Sequence, residues 1–136
     1  MLKPVLLAVV LAASGLLMGG TAQAADSGCF LNGKPVPDFQ ANSAVIGTSG
    51  ADVIDCSASP KGRNVFAGNG NDQVIGSAFA DTVHGEFGND TLSGRGGNDF
   101  LSGEAGNDSM NGGTGTDRCV GQGGTDTGVS CESFVQ

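Results

Sequence analysis

Tryptophan and tyrosine are absent from this 136-residue chain, aromatic residues make up only 5%, and there is a single histidine. Lys plus Arg number six against 14 Asp plus Glu, a formal charge of −8. That balance excludes nucleic acid and anionic membrane surfaces as electrostatic partners and favours cations. No nucleophile–base–orienter set is recognisable, so the chain is not expected to be an enzyme. Proline occurs four times and glycine does not fall at every third position, which excludes a collagen helix.

Glycine is what the chain has in excess. Its 25 residues are more than twice the average share of about 7%. Composition of this kind also fits a disordered polymer, so the order of the residues has to decide. The first 24 residues read as a signal peptide, with Lys3 at the charged start, an apolar run from Val5 to Met18, and Ala22-Gln23-Ala24 as the cleavage pattern. The run is short for a membrane span. Cleavage after Ala24 removes Lys3 and no acid, taking the formal charge from −8 to −9. The mature chain is expected to be secreted and not inserted in a membrane. Four cysteines in an exported chain suggest two disulfides, for which three pairings exist in principle.

Aligned on aspartate, the sequence shows a strict period. Asp72, Asp81, Asp90, Asp99, Asp108, Asp117 and Asp126 follow one another at intervals of nine, and Asp52 precedes Asp72 by two repeats plus a two-residue insertion within Cys56 to Phe66. From residue 85 the units read GEFGNDTLS, GRGGNDFLS, GEAGNDSMN and GGTGTDRCV. Position 4 is Gly50, Gly70, Gly88, Gly97, Gly106, Gly115 and Gly124, and position 1 is mostly glycine too. Glycine at fixed places implies tight turns, and the Asn that often precedes Asp suits a left-handed conformation. Position 8 is apolar (Ile54, Val74, Val83, Leu92, Leu101, Met110, then Cys119) between mostly polar neighbours. That pattern is a minimal strand with one inward side chain. Each unit is therefore expected to be a six-residue turn and a three-residue strand, with two units per coil stacking into parallel strands around one apolar seam.

In such a coil, alternate turns lie above one another. Asp52, Asp72, Asp90, Asp108 and Asp126 line one edge, and Asp81, Asp99 and Asp117 the other. Strand spacing of about 4.8 Å brings stacked carboxylates close. Two unit charges near 4 Å repel by roughly 1 kcal/mol in water and about 4 kcal/mol at an effective dielectric of 20. No regular column of Lys or Arg offsets this. Ca²⁺, which takes six to eight carboxylate and carbonyl oxygens, fits the supply of Asp and turn carbonyls. Mg²⁺ requires a tighter octahedral shell, and zinc or copper requires His or Cys. One apolar side chain per unit is a thin core, so ion binding is expected to drive folding.

These units resemble the repeats-in-toxin, or haemolysin-type, calcium-binding nonapeptide G-G-x-G-x-D-x-U-x, with U aliphatic. The resemblance implies an all-β parallel β-roll, a β-solenoid with two repeats per coil. It also implies Ca²⁺ held between stacked turns by the position-6 carboxylates of Asp52, Asp72, Asp81, Asp90, Asp99, Asp108, Asp117 and Asp126. The chain departs from the pattern where Phe79 replaces the position-4 glycine and where Gly128 replaces the last aliphatic residue. The expected organisation is a signal peptide (1–24), an N-terminal cap segment (25–45), the repeat array (46–129) and a C-terminal tail (130–136). Disulfides Cys29–Cys56 and Cys119–Cys131 would tie the two ends, with free or intermolecular thiols as the alternative. His84 reads as an outward strand residue, Glu86 and Glu104 as solvated, and Phe87 and Phe100 as lying off the seam. The functional expectation is a secreted calcium-binding structural or interaction module. The alternative is an accessory or remnant of a secreted hydrolase or toxin.

Overall fold

The structure is a computed structural model that describes residues 28–36 and 44–136. The signal-peptide reading of residues 1–24 lies outside the described residues. Among these residues every regular element is a strand: β1 (Phe30–Leu31), β2 (Lys34–Pro35), β3 (Ala44–Ile46), β4 (Val53–Asp55), β5 (Asn64–Asn69), β6 (Gln73–Ile75), β7 (Thr82–Phe87), β8 (Thr91–Gly96), β9 (Phe100–Ala105), β10 (Ser109–Thr114), β11 (Arg118–Gly123), β12 (Thr127–Val129) and β13 (Ser133–Val135).

From β3 onward, consecutive strands alternate between two sheets. One has the order β12-β10-β8-β6-β4-β1-β2 and the other β13-β11-β9-β7-β5-β3. All pairings from β3 to β13 are parallel, with β8 and β10 matched Thr91↔Ser109 and Leu92↔Met110, a step of one coil. This is the expected parallel β-roll. Position 8 points inward in both sheets, so Val45, Ile54, Val65, Val74, Val83, Leu92, Leu101, Met110 and Cys119 form one buried seam. At position 1, side chains also face inward. A Cβ on Gly103 would run into the Asp108 carboxylate, which is why the place is reserved for glycine.

The strand ladder runs past both ends of the expected 46–129 array. Val45 occupies an inward position on β3, paired with Val65 of β5. At the other end β13 pairs in parallel with β11, placing Phe134 opposite Cys119. A Cβ on Gly128 would strike the Phe134 ring, so Phe134 fills the place that the missing aliphatic residue leaves. The insertion between Asp52 and Asp72 leaves the roll intact. Counting back one coil from Thr82 lands on Asn64, its parallel partner, so residues 58–66 form a degenerate unit after two added residues.

The expected division of each unit needs correction. Six strands, β5 and β7 to β11, are six residues long, running from position 7 through position 3 of the next unit. The turn between such strands is then only three residues, as in Gly97-Asn98-Asp99. The extension survives because Glu86, Arg95, Glu104 and Gln122 at position 2 take φ of 74–78° and kink the strand without ending the ladder. The role of Asn also differs. None of Asn71, Asn89, Asn98 or Asn107 is left-handed. Each instead accepts, through its side-chain Oδ1, the backbone N–H of the residue one coil on: Asn89 to Asn71 at 2.9 Å, Asn107 to Asn89 at 2.8 Å, Thr125 to Asn107 at 2.8 Å and Thr116 to Asn98 at 3.0 Å.

Disulfides Cys29–Cys56 and Cys119–Cys131 both form, in the expected pairing. The first ties the β1–β2 hairpin, which pairs antiparallel with β4, onto the start of the first sheet. The second fastens the segment leading to β13. Both protect ends that would otherwise present bare strand edges.

Candidate metal centre

The eight position-6 aspartates stand in the two expected columns, and all are between 1% and 4% exposed. Each column is wired by the same hydrogen bond. The backbone N–H of one aspartate donates to Oδ1 of the aspartate one coil later: Asp52 to Asp72, Asp72 to Asp90, Asp90 to Asp108 at 2.8 Å each, and Asp108 to Asp126 at 2.9 Å. On the other edge Asp81 donates to Asp99 and Asp99 to Asp117, both at 2.8 Å. One carboxylate oxygen of every aspartate but Asp52 thus accepts a backbone N–H of the preceding coil and holds the two coils in register.

The second oxygen divides the aspartates. In Asp72, Asp90, Asp99, Asp108, Asp117 and Asp126, Oδ2 is buried with no hydrogen-bond partner. An unsatisfied buried acceptor costs about 1–3 kcal/mol, and more when charged. The same unsatisfied oxygen recurs in six turns. In Asp52 and Asp81, Oδ2 is satisfied within the turn by the amides of Thr48 (2.5 Å) and Ser77 (2.6 Å). The hydroxyls of the same two residues also reach the carboxylates, Thr48 at 3.0 and 3.1 Å and Ser77 at 3.0 Å.

Backbone conformation follows the same division. The six orphan turns have positive φ at position 2 (Gly68, Glu86, Arg95, Glu104, Gly113, Gln122) and at position 4 (Gly70, Gly88, Gly97, Gly106, Gly115, Gly124). Thr48, Gly50, Ser77 and Phe79, the equivalents in the other two, have neither. At position 4 the glycine is also sterically required, since a Cβ on Gly106 would overlap the Gly88 carbonyl of the preceding coil. Four non-glycine residues held left-handed are strained, and such strain gathers where a ligand is accommodated.

Charge accumulates accordingly. Burial pushes the Asp90 and Asp99 carboxyls up to about 6, against the backbone N–H each accepts and with like charges on both column neighbours adding to the rise. Burial likewise raises Asp72 and Asp108, assisted by the charges of Asp52 and Asp126 respectively. It raises Asp81 despite hydrogen bonds from Ser77 and Arg63 and the nearby Arg63 charge. Asp52 behaves oppositely. Burial works to raise it, but the Thr48 amide, the Asn32 side chain and the Thr48 hydroxyl together hold it below the ordinary range.

Several residues that shape the columns were not singled out in the sequence. Asn32 covers the head of the first column, donating from Nδ2 to Asp52 Oδ1 at 2.7 Å and accepting from the Val53 amide. Arg63 heads the second column in the place of an aspartate. Its backbone N–H donates to Asp81 Oδ1 at 2.6 Å, and its buried guanidinium donates from Nε to the Ser59 hydroxyl. Counting one coil back from Asp81 finds it. At the foot of that column Glu132 Oε2 accepts the Asp117 amide at 2.5 Å, as the next aspartate would. No periodic signal marks Glu132, which is 15 residues on instead of 18.

The expectations for the outer face hold in part. His84 is an outward strand residue, stacked on Phe66 with ring centroids 5.0 Å apart and tilted toward Phe100. Its Nδ1 lies 2.8 Å from Glu104, so Glu104 is engaged and not simply solvated. Phe87 is 63% exposed.

Among the described residues no three His, Cys, Asp or Glu side chains converge on one point. A metal here therefore has to complete its shell from backbone carbonyls and water, which suits a hard, oxygen-seeking cation and not zinc or copper. Orphaned carboxylate oxygens beside glycine carbonyls fit Ca²⁺.

A parallel β-roll lined by two columns of buried aspartates defines a calcium-binding repeat protein. Residues 66–101 and 93–127 each match the family model for the RTX calcium-binding nonapeptide repeat (4 copies). Residues 66–127 therefore carry RTX calcium-binding nonapeptide repeats, and such repeats bind Ca²⁺. No curated protein and no solved structure matches the chain. RTX repeats and disulfides are both typical of extracellular proteins.

Proposed function

We propose that this is an exported calcium-binding protein in which ion uptake by the Asp turns drives folding of the roll, which then serves as a structural or interaction module and carries out no catalysis. Six buried carboxylate oxygens lacking any partner support this reading most directly. Each is an acceptor in a column whose neighbouring carboxylates repel it, and a dication shared between stacked turns removes both costs together. Asp72, Asp90, Asp99, Asp108, Asp117 and Asp126 would supply the charge, and turn carbonyls the remaining protein oxygens. Two disulfides and the signal peptide expected at residues 1–24 support an extracellular location. Calcium is abundant there, and affinities of about 10⁻⁴–10⁻³ M suffice.

Coupling of binding to folding is tested by circular dichroism of the disulfide-bonded chain during a calcium titration. Strand signal is expected to rise with Ca²⁺, to stay low with Mg²⁺ at equal concentration, and to collapse in excess chelator. An undiminished strand signal in chelator at neutral pH would refute the coupling.

A further inference from the structure

We infer that the first aspartate turn of each column, at Asp52 and at Asp81, is closed by its own hydroxyl side chain and takes no calcium. Binding is then confined to the turns of Asp72, Asp90, Asp99, Asp108, Asp117 and Asp126. This rests on the calcium-binding reading of the turns but departs from the equivalence that the repeat implies, under which all eight aspartates are ligands.

Three features of the same two turns coincide. The carboxylates differ, because Oδ2 of Asp52 and Asp81 accepts a backbone N–H where the other six accept nothing. The backbones differ, because positions 2 and 4 lack the positive φ that the six orphan turns share. Side chains differ as well, since among the eight aspartate turns these two alone have a hydroxyl residue at position 2. The Ser77 hydroxyl lies 3.0 Å from Asp81 Oδ1 and donates to the position-4 carbonyl of Phe79 at 3.2 Å, while the Phe79 amide donates back to it at 3.0 Å. Thr48 makes the same set with Asp52 and Gly50. The hydroxyl therefore sits between the carboxylate and the turn carbonyl, with its one proton available to either, and these are the two kinds of oxygen an ion would have to gather.

Gly50 makes the cause clear. It is a glycine at position 4 and free to adopt the left-handed conformation, yet it does not. What sets the turn is Thr48 at position 2. The short strands β3 and β6 are the ones that lead into these turns, whereas the strands leading into orphan turns are six residues long. The column heads are also covered from outside, by Asn32 over Asp52 and by Arg63 over Asp81. The N-terminal end of the roll is thus built from side-chain hydrogen bonds, and ion binding begins one turn further in.

Counting bound Ca²⁺ per chain tests the inference, by equilibrium dialysis and native mass spectrometry of the disulfide-bonded protein, with circular dichroism to confirm the fold. Asp52→Asn and Asp81→Asn are expected to keep the wild-type count, while Asp99→Asn and Asp108→Asn lower it. Thr48→Gly places glycine between Gly47 and the existing Gly50 and is expected to raise the count by one. Ser77→Gly alone is expected not to do so, because Phe79 still occupies position 4; Ser77→Gly with Phe79→Gly is expected to add the site. A lower count in folded Asp52→Asn or Asp81→Asn overturns the inference, as does an unchanged or lower count in Thr48→Gly. The two glycine variants carry the test even where an asparagine variant does not fold. A wild-type chain that binds no Ca²⁺ refutes the calcium reading itself, an outcome distinct from all of these.

Discussion

Replacing Asp90 with asparagine is expected to stabilise the metal-free roll and to destabilise the calcium-loaded one. Asp90 is 1% exposed and stands between Asp72 and Asp108 in its column. Its carboxyl is raised from 3.8 to about 6, so keeping it ionised in the metal-free fold at neutral pH costs about 3 kcal/mol at 1.36 kcal/mol per unit. Solvent screening at the turn reduces that to on the order of 1–2 kcal/mol. Asparagine keeps an oxygen to accept the Asp72 amide while removing the charge. In chelator, the urea midpoint of the variant is therefore expected to rise, or the small folded population at neutral pH to grow several-fold. In saturating Ca²⁺ the order reverses, because the variant has lost a charged oxygen for the ion. Circular dichroism in urea series with and without calcium reads both. Equal destabilisation in the two conditions would show that the columns are not charge-frustrated, and the account of why they need an ion would fail.

Acid should imitate calcium in part. With folded values near 6 for Asp90 and Asp99 against 3.8 unfolded, the metal-free fold holds more protons than the unfolded chain between about pH 4 and 6. Its stability is therefore highest below that window and falls as pH rises through it, so chelated protein should show more strand signal at about pH 4.5 than at 7.5. Calcium affinity, which needs the ionised form, should rise over the same interval. Leu101→Ala, at a fully buried seam position, is expected to cost about 2–5 kcal/mol in calcium, read as a lower urea midpoint. Gly106→Ala imposes a side chain at φ 143° against the Gly88 carbonyl and should lower calcium-loaded stability by on the order of 1–3 kcal/mol. Replacing Cys119 and Cys131 together by alanine should cost about 2–4 kcal/mol and speed hydrogen exchange in β13 before β9.

What the sequence disclosed was whatever recurs. Seven aspartates at one spacing set the coil, sort themselves into two edges and point to position 8 as the seam, and the structure keeps all three. Cys119 at an inward position with Cys131 just beyond the last unit was enough to anticipate that bridge. Single departures were harder to read. Thr48 and Ser77 look like tolerated variation at a variable position until their hydroxyls are seen on the carboxylates. Arg63 is in phase, one coil before Asp81, but an alignment on aspartate passes over it because it is not an acid, and Glu132 and Phe134 stand out of phase. Asn was noticed and misjudged, because its preference for left-handed turns is a local property while its use here is a hydrogen bond to the next coil. Strand length was underestimated for a related reason. Glycine at position 1 suggests a turn, yet here it lies within a strand because the Asp carboxylate of its own unit fills the space beside it.

Because every interior coil meets its neighbours through the same 18-residue register, the roll has no preferred length. Excising one full coil from the middle would bring together surfaces already shaped to fit, leaving the hairpin at one extremity and the Phe134 lid at the other unaware of the change. Selection could lengthen or shorten such a chain by duplication and loss while retaining both termini, much as a stack of identical plates is adjusted between two fixed bookends.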